Sequence, residues 1–150
     1  MKRKIVNVAT FILAVIMSVF VFASCQKEGK IEQATLVEST ETLVVIKVDK
    51  IQGEPTLFDA MTWLQEQGQL SFTITDGMIT GINGKNNPDD YSACWMVYTS
   101  DEDLSNTSWG TFEYQGAILG SAAAGANELP VSVGEYYVWN YQFLKRTGQV

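Results

Sequence analysis

Asp76-Gly77 separates two short runs of alternating character, Leu70 to Thr75 and Met78 to Ile82. This dipeptide takes the two positive φ angles of a type I′ turn with little strain, so the flanking runs must pair antiparallel across a two-residue loop. The expected register sets Ile74 opposite Ile79 and Phe72 opposite Gly81 on one face, with Thr73 opposite Thr80 on the other. One face is then apolar and turned to the core, and the other is hydroxylated.

The remaining periodicities build around this hairpin. Leu43 to Lys50 alternates toward its end, with Val44, Ile46 and Val48 on one side and Lys47 and Asp49 on the other, the pattern of a half-buried strand. Thr56 precedes Leu57-Phe58-Asp59, so Thr56 caps a helix and Asp59, three residues on, completes the capping box. Leu57, Ala60, Met61 and Leu64 follow helical spacing and Gly68 ends the run. Asn83-Gly84 and Asn86 to Asp90 form a loop. Ala93 to Thr99 is a strand with Trp95 and Val97 facing opposite to Cys94, Met96 and Tyr98. Tyr136 to Phe143 is the last strand, expected at the centre of the sheet because Tyr137, Trp139, Tyr141 and Phe143 share one side. Burial is the expected role of Trp95, Trp139 and Phe143.

Ser100 to Gly134 is the least regular stretch. Asp101-Glu102-Asp103 lacks the spacing and the later bidentate Glu of an EF-hand and reads as a solvated turn. A short hairpin with Gln115-Gly116 at its tip pairs Phe112 with Leu119, and the small residues from Gly120 to Gly125 permit close backbone approach. Aromatic residues beside that backbone form either a ligand platform or a satellite cluster under a long loop. Together these elements give an α+β fold, a small mixed or antiparallel sheet of roughly five to seven strands with one packed helix.

The first residues are of another kind. Lys2, Arg3 and Lys4 precede an apolar run from Ile5 to Ala23, followed by Ser24 and Cys25. A basic start, an apolar middle and small residues before a cysteine form a secretory signal. Phe22-Ala23-Ser24-Cys25 resembles the bacterial lipobox, which implies a signal peptide over 1–24 and lipidation of Cys25 as the first residue of the mature chain. An uncleaved anchor helix is the competing reading. Loss of the signal removes three positive charges and takes the formal charge from −7 to −10, so acyl chains rather than a basic patch would hold the protein to a membrane. The expected location is the extracytoplasmic face of a bacterial cell envelope. Residues 25–41 are polar and acidic and read as a flexible tether with a reach of roughly 20 Å, or else contain the start of a first strand. The folded domain is placed at 42–145.

Charge and composition narrow the chemistry. The chain has no histidine, which excludes a Ser-His-Asp or Cys-His relay and an imidazole metal site, and its acidity argues against a nucleic-acid partner. Asp89 and Asp90 are adjacent and would point apart in a strand, so no carboxylate pair is recognisably placed for catalysis. No enzyme, no metal site and no catalytic cofactor is expected. Cys94, the remaining cysteine, reads as a small hydrophobe in a strand core.

Certain motifs, in order, resemble the transcobalamin-like C-terminal domain family of bacterial surface proteins. They are Thr56-Leu57-Phe58-Asp59-Ala60-Met61, Ile79-Thr80-Gly81-Ile82-Asn83-Gly84, Cys94-Trp95-Met96-Val97-Tyr98, Leu129-Pro130-Val131, Gly134 and Tyr137-Val138-Trp139-Asn140-Tyr141. The resemblance runs from about Leu43 to Phe143 and departs at Cys94, where the family usually has an aromatic residue. It implies a β-grasp-like α+β domain that, in animal vitamin-B12 carriers, forms one half of a cobalamin clamp. It further implies cobalamin as a ligand, not as a catalytic cofactor. Without histidine, contact would run through amides and aromatic faces, for which Trp95, Tyr98 and Trp109 are the candidates. Tyr91, Tyr114 and Ser121 complete the expected ligand-binding set. Two functions stay open: a binding module that presents a small, amide-rich ligand to a transporter or second domain, and an adhesion-type interaction domain with Tyr91, Trp109 and Tyr114 as anchors.

Overall fold

The computed structural model describes residues 28–144. Nine strands and one helix follow in the order β1 (Lys30–Ser39), β2 (Leu43–Gln52), α1 (Leu57–Glu66), β3 (Phe72–Thr75), β4 (Met78–Ile82), β5 (Lys85–Asn86), β6 (Ala93–Thr99), β7 (Ser105–Tyr114), β8 (Ala117–Ala122) and β9 (Tyr136–Phe143). The main sheet has six strands in the order β1-β2-β9-β6-β8-β7, and β3-β4-β5 form a small second sheet. Every paired strand is antiparallel. The protein is a small α+β fold, mostly antiparallel sheet with one helix.

The helix and the small sheet cover one face of the main sheet. Val44, Ile46 and Val48 of β2, Trp95 of β6 and Tyr137 and Trp139 of β9 pack there against Leu57, Ala60, Met61 and Leu64 of the helix and Ile79 and Ile82 of β4. The alternation of β2 and β9 therefore reads true, and β9 lies inside the sheet between β2 and β6. The opposite face carries a smaller cluster of Val45, Tyr98, Leu119 and Val138, with Phe112 and Tyr114 packed against it. Both faces of β2 are consequently buried at Val44, Val45 and Ile46.

Local signals set the turns. Thr56 Oγ1 accepts from the Asp59 amide at 3.4 Å while Asp59 Oδ2 accepts from the Thr56 amide at 2.7 Å, completing the capping box. Two further amides at the helix start donate to the following loop, Leu57 to the Leu129 carbonyl at 2.8 Å and Phe58 to the Ala126 carbonyl at 2.9 Å. These amides lack partners within a helix, so the loop at 125–131 is fixed to the helix end by the groups the helix leaves over. Asp76 and Gly77, with φ of 51° and 81°, form the expected turn, and Asn83 and Gly84, at 50° and 81°, form a second one.

Several expectations are corrected. Residues 25–41 do not form a tether throughout, because β1 occupies Lys30–Ser39 and pairs with β2 from Lys30↔Gln52 to Ser39↔Val44. Irregularities between Ile31 and Gln33 and between Leu36 and Glu38 break the alternation, so Ile31 and Ala34 are both buried although three residues apart. The ladder to β2 holds a strand whose own hydrophobicity is low, and an exposed Lys50–Glu32 ion pair at 2.6 Å lies across it. The first hairpin keeps Ile74↔Ile79, but Thr80 is an extra residue, so Thr73 pairs with Gly81 and Phe72 with Ile82. Ile74 is 43% exposed and not in the core. Asn86, read as loop, instead joins Lys85 in a third strand beside Gly81 and Ile82. Phe143 is 80% exposed, since it lies beyond the reach of the helix at the end of β9. Cys94 is half-buried rather than a core residue. Cys25 and the signal lie outside the described residues.

Candidate functional site

A cleft of about 320 Å³ opens where the small sheet meets β6. Met78, Ile79 and Thr80 of β4 form one side, and Trp95 and Val97 of β6 with Trp139 of β9 form another. Ser121 and Ala122 of β8 and Gly125 and Ala126 of the loop held by the helix close it, with Asn87 and Tyr91 at the remaining edge. The small residues from Ser121 to Ala126 leave the space open, because larger side chains there would fill it.

Trp95 fixes the wall made by residues 85–91. Its indole Nε1–H donates to the Lys85 carbonyl at 2.7 Å, and its backbone amide donates to Asn87 Oδ1 at 3.0 Å. Tyr141 reinforces the wall: its hydroxyl donates to the Asn86 carbonyl at 3.1 Å, and its ring meets Trp95 edge-on at 5.4 Å with Lys85 Nζ 4.9 Å above it. Tyr91 stands at the mouth, 60% exposed, with a φ of +51°. A bulky residue in the left-handed region costs of order 1–3 kcal/mol and marks a position held by its surroundings.

The lining is mostly apolar, with few polar groups. Trp139 is 4% exposed, and its Nε1 has no hydrogen-bond partner among the described residues. An unmade bond at a buried donor costs about 1–3 kcal/mol, and this N–H is closed off from solvent within the core. Burial raises the pKa of the Cys94 thiol, which keeps it protonated and a weak nucleophile at neutral pH. Among the described residues no group of three or more His, Cys, Asp or Glu side chains is placed to hold a metal ion.

No protein-family model, no curated protein and no solved structure matches this chain. The likeness to the transcobalamin-like domain stands on its sequence motifs alone.

Of the six expected ligand-binding residues the cleft gathers three, Tyr91, Trp95 and Ser121. Tyr98 lies on the other face of the sheet, its ring 5.6 Å from Phe112 and its hydroxyl accepting from Gln142 Nε2 at 2.8 Å. Tyr114 packs beside Tyr136 at 5.9 Å in the same outer cluster. Trp109 is 64% exposed, because β7 pairs with β8 at Asn106↔Ser121 and next at Thr111↔Gly120, leaving 107–110 as a bulge with no partner on β8. Strand parity already separates Tyr98 from Trp95. Trp139 and the β4 residues line the cleft as well, and nothing local in the sequence distinguishes them from core.

Proposed function

We propose that the chain is a binding module, anchored by lipid on Cys25 to the extracytoplasmic face of a bacterial envelope, that holds a small amide-bearing ligand in the cleft beside Trp139. The observation that carries the reading is the cleft itself, an apolar hollow with a fixed wall and few polar groups. Apolar lining with a few placed polar groups is the usual form of small-ligand sites. The sequence motifs favour a corrinoid-like ligand. A corrinoid is larger than the hollow, so its amide-bearing edge would enter and a transporter or second domain would cover the rest. No catalytic step is assigned.

Titrating the full chain in detergent with cobinamide and with cobalamin, read by tryptophan fluorescence, tests this. Saturable quenching is expected, and Ala122→Phe, which fills the cleft, should abolish it. Silence with both corrinoids defeats the corrinoid form of the reading. Cys25→Ala should release the protein from membranes or leave the precursor unprocessed, and failure of wild type to incorporate labelled fatty acid defeats the anchor.

The bulge at 107–110 favours a second reading, an interaction domain docking another protein through Trp109. Loss of a captured surface protein in Trp109→Ala, with the cleft silent, would decide for it.

A further inference from the structure

The apolar cleft does not end at Tyr91. Thr80, Asn87 and Tyr91 also line a second, polar hollow of about 330 Å³, whose other walls are Thr73, Thr75, Asn86, Pro88 and Asp89. Thr80 Oγ1 lies 3.4 Å from Thr73 Oγ1 and 3.2 Å from Thr75 Oγ1, so three hydroxyls gather on one face of the small sheet. Opposite them lie the Asn86 and Asn87 amides and the Asp89 carboxylate, which makes no hydrogen bond or ion pair with the described residues. Tyr91 places an exposed aromatic ring where the two hollows join.

Hydroxyls, planar amides and a carboxylate bind groups that donate and accept at once, which is what sugar hydroxyls do, and an aromatic face packs on the C–H side of a sugar ring. No lysine or arginine lines the hollow, and Asp89 would repel an anion, which disfavours a phosphate or sulfate. We propose that cleft and hollow form one bipartite site for a glycoside, with an apolar aglycone beside Trp139 and an uncharged sugar among Thr73, Asn86 and Asp89. This rests on the reading of the cleft as a ligand site.

The test is calorimetric titration of the full chain in detergent with p-nitrophenyl β-glucoside, β-galactoside, α-mannoside and N-acetyl-β-glucosaminide, against p-nitroanisole as the aglycone without sugar. At least one glycoside should bind about tenfold tighter than p-nitroanisole, the worth of one or two added hydrogen bonds. Asp89→Ala and Thr73→Val should each reduce that glycoside toward the p-nitroanisole level while leaving p-nitroanisole itself unchanged. Ala122→Phe should weaken both. Equal binding of glycosides and p-nitroanisole, or a sugar preference that survives both variants, overturns the bipartite site and leaves the apolar cleft standing. Binding of neither class defeats the glycoside proposal, while saturable corrinoid quenching in the titration above would leave the amide-ligand reading of the cleft standing.

Discussion

Trp95→Phe should loosen one wall of the cleft more than it disturbs the core. Phenylalanine keeps a ring at a position that is 5% exposed but cannot donate to the Lys85 carbonyl, which Trp95 Nε1 meets at 2.7 Å. Losing such a bond costs about 1 kcal/mol net, and the shrinkage of a buried ring adds about 1–2 kcal/mol for the space left behind. A total near 2–3 kcal/mol corresponds to a fall of about 1–2 M in urea midpoint for a small domain. The location of the effect is the sharper test. Amides of residues 85–91 should exchange faster in the variant, whereas those of β2 and the helix should change only as global stability does. Tyr141→Phe removes another side-chain bond to the same segment, from the Tyr141 hydroxyl to the Asn86 carbonyl at 3.1 Å, so the two substitutions should be non-additive. Additive effects, or a midpoint that falls with exchange at 85–91 unaltered, would refute the assignment of Trp95 as the residue that holds this wall.

Thr56→Ala and Asp59→Ala each break the same capping box and should each lower stability by about 1 kcal/mol, with the double variant well short of the sum, as thermal unfolding would show. Burial pushes the Tyr137 phenol up from 10.0 to about 12, while its hydroxyl accepts from the Ser132 amide at 2.8 Å. The folded state therefore retains a proton that the unfolded state has lost, so Tyr137 contributes full stability below about pH 10 and loses it as pH rises to about 12. Urea unfolding across that window should show a steeper decline for wild type than for Tyr137→Phe; parallel curves would contradict it. Cys94, with its thiol pKa raised by burial, should react with a disulfide reagent at neutral pH more slowly than free cysteine in a Cys25→Ser background, and equal rates would contradict its half-buried setting.

Much of the framework is written locally. Two Asx-Gly turns, one capping box and two aromatic runs with a period of two locate β3, β4, β6, β9 and the helix, because in each case the physical determinant lies within a few residues. β1 is legible only as the alternative that 25–41 holds the start of a first strand, for the converse reason: its irregularities opposite β2 shift the parity of Ile31, Ala34 and Leu36, and its strand state depends on a partner ladder. Phe143 follows the period of β9, yet alternation reports a face and not whether anything covers it. The cleft is assembled from segments at 78–80, 87–91, 95–97, 121–126 and 139, so no spacing in the chain announces it. Aromaticity alone groups Trp95 with Tyr98 as ligand residues, although an odd separation along one strand places them on opposite sides.

The two outer strands of the main sheet, β1 and β7, are ten residues each, long enough to template the pairing of a neighbouring copy. Neither offers a straight ladder. β1 shifts register three times against β2, and the backbone of β7 leaves its partner at 107–110. Copies crowded side by side on a membrane surface, as the proposed lipid on Cys25 would place them, meet at high effective concentration in two dimensions. Under that crowding the same irregularities that obscure β1 in a reading of its sequence act as a guard against edge-to-edge sheet growth.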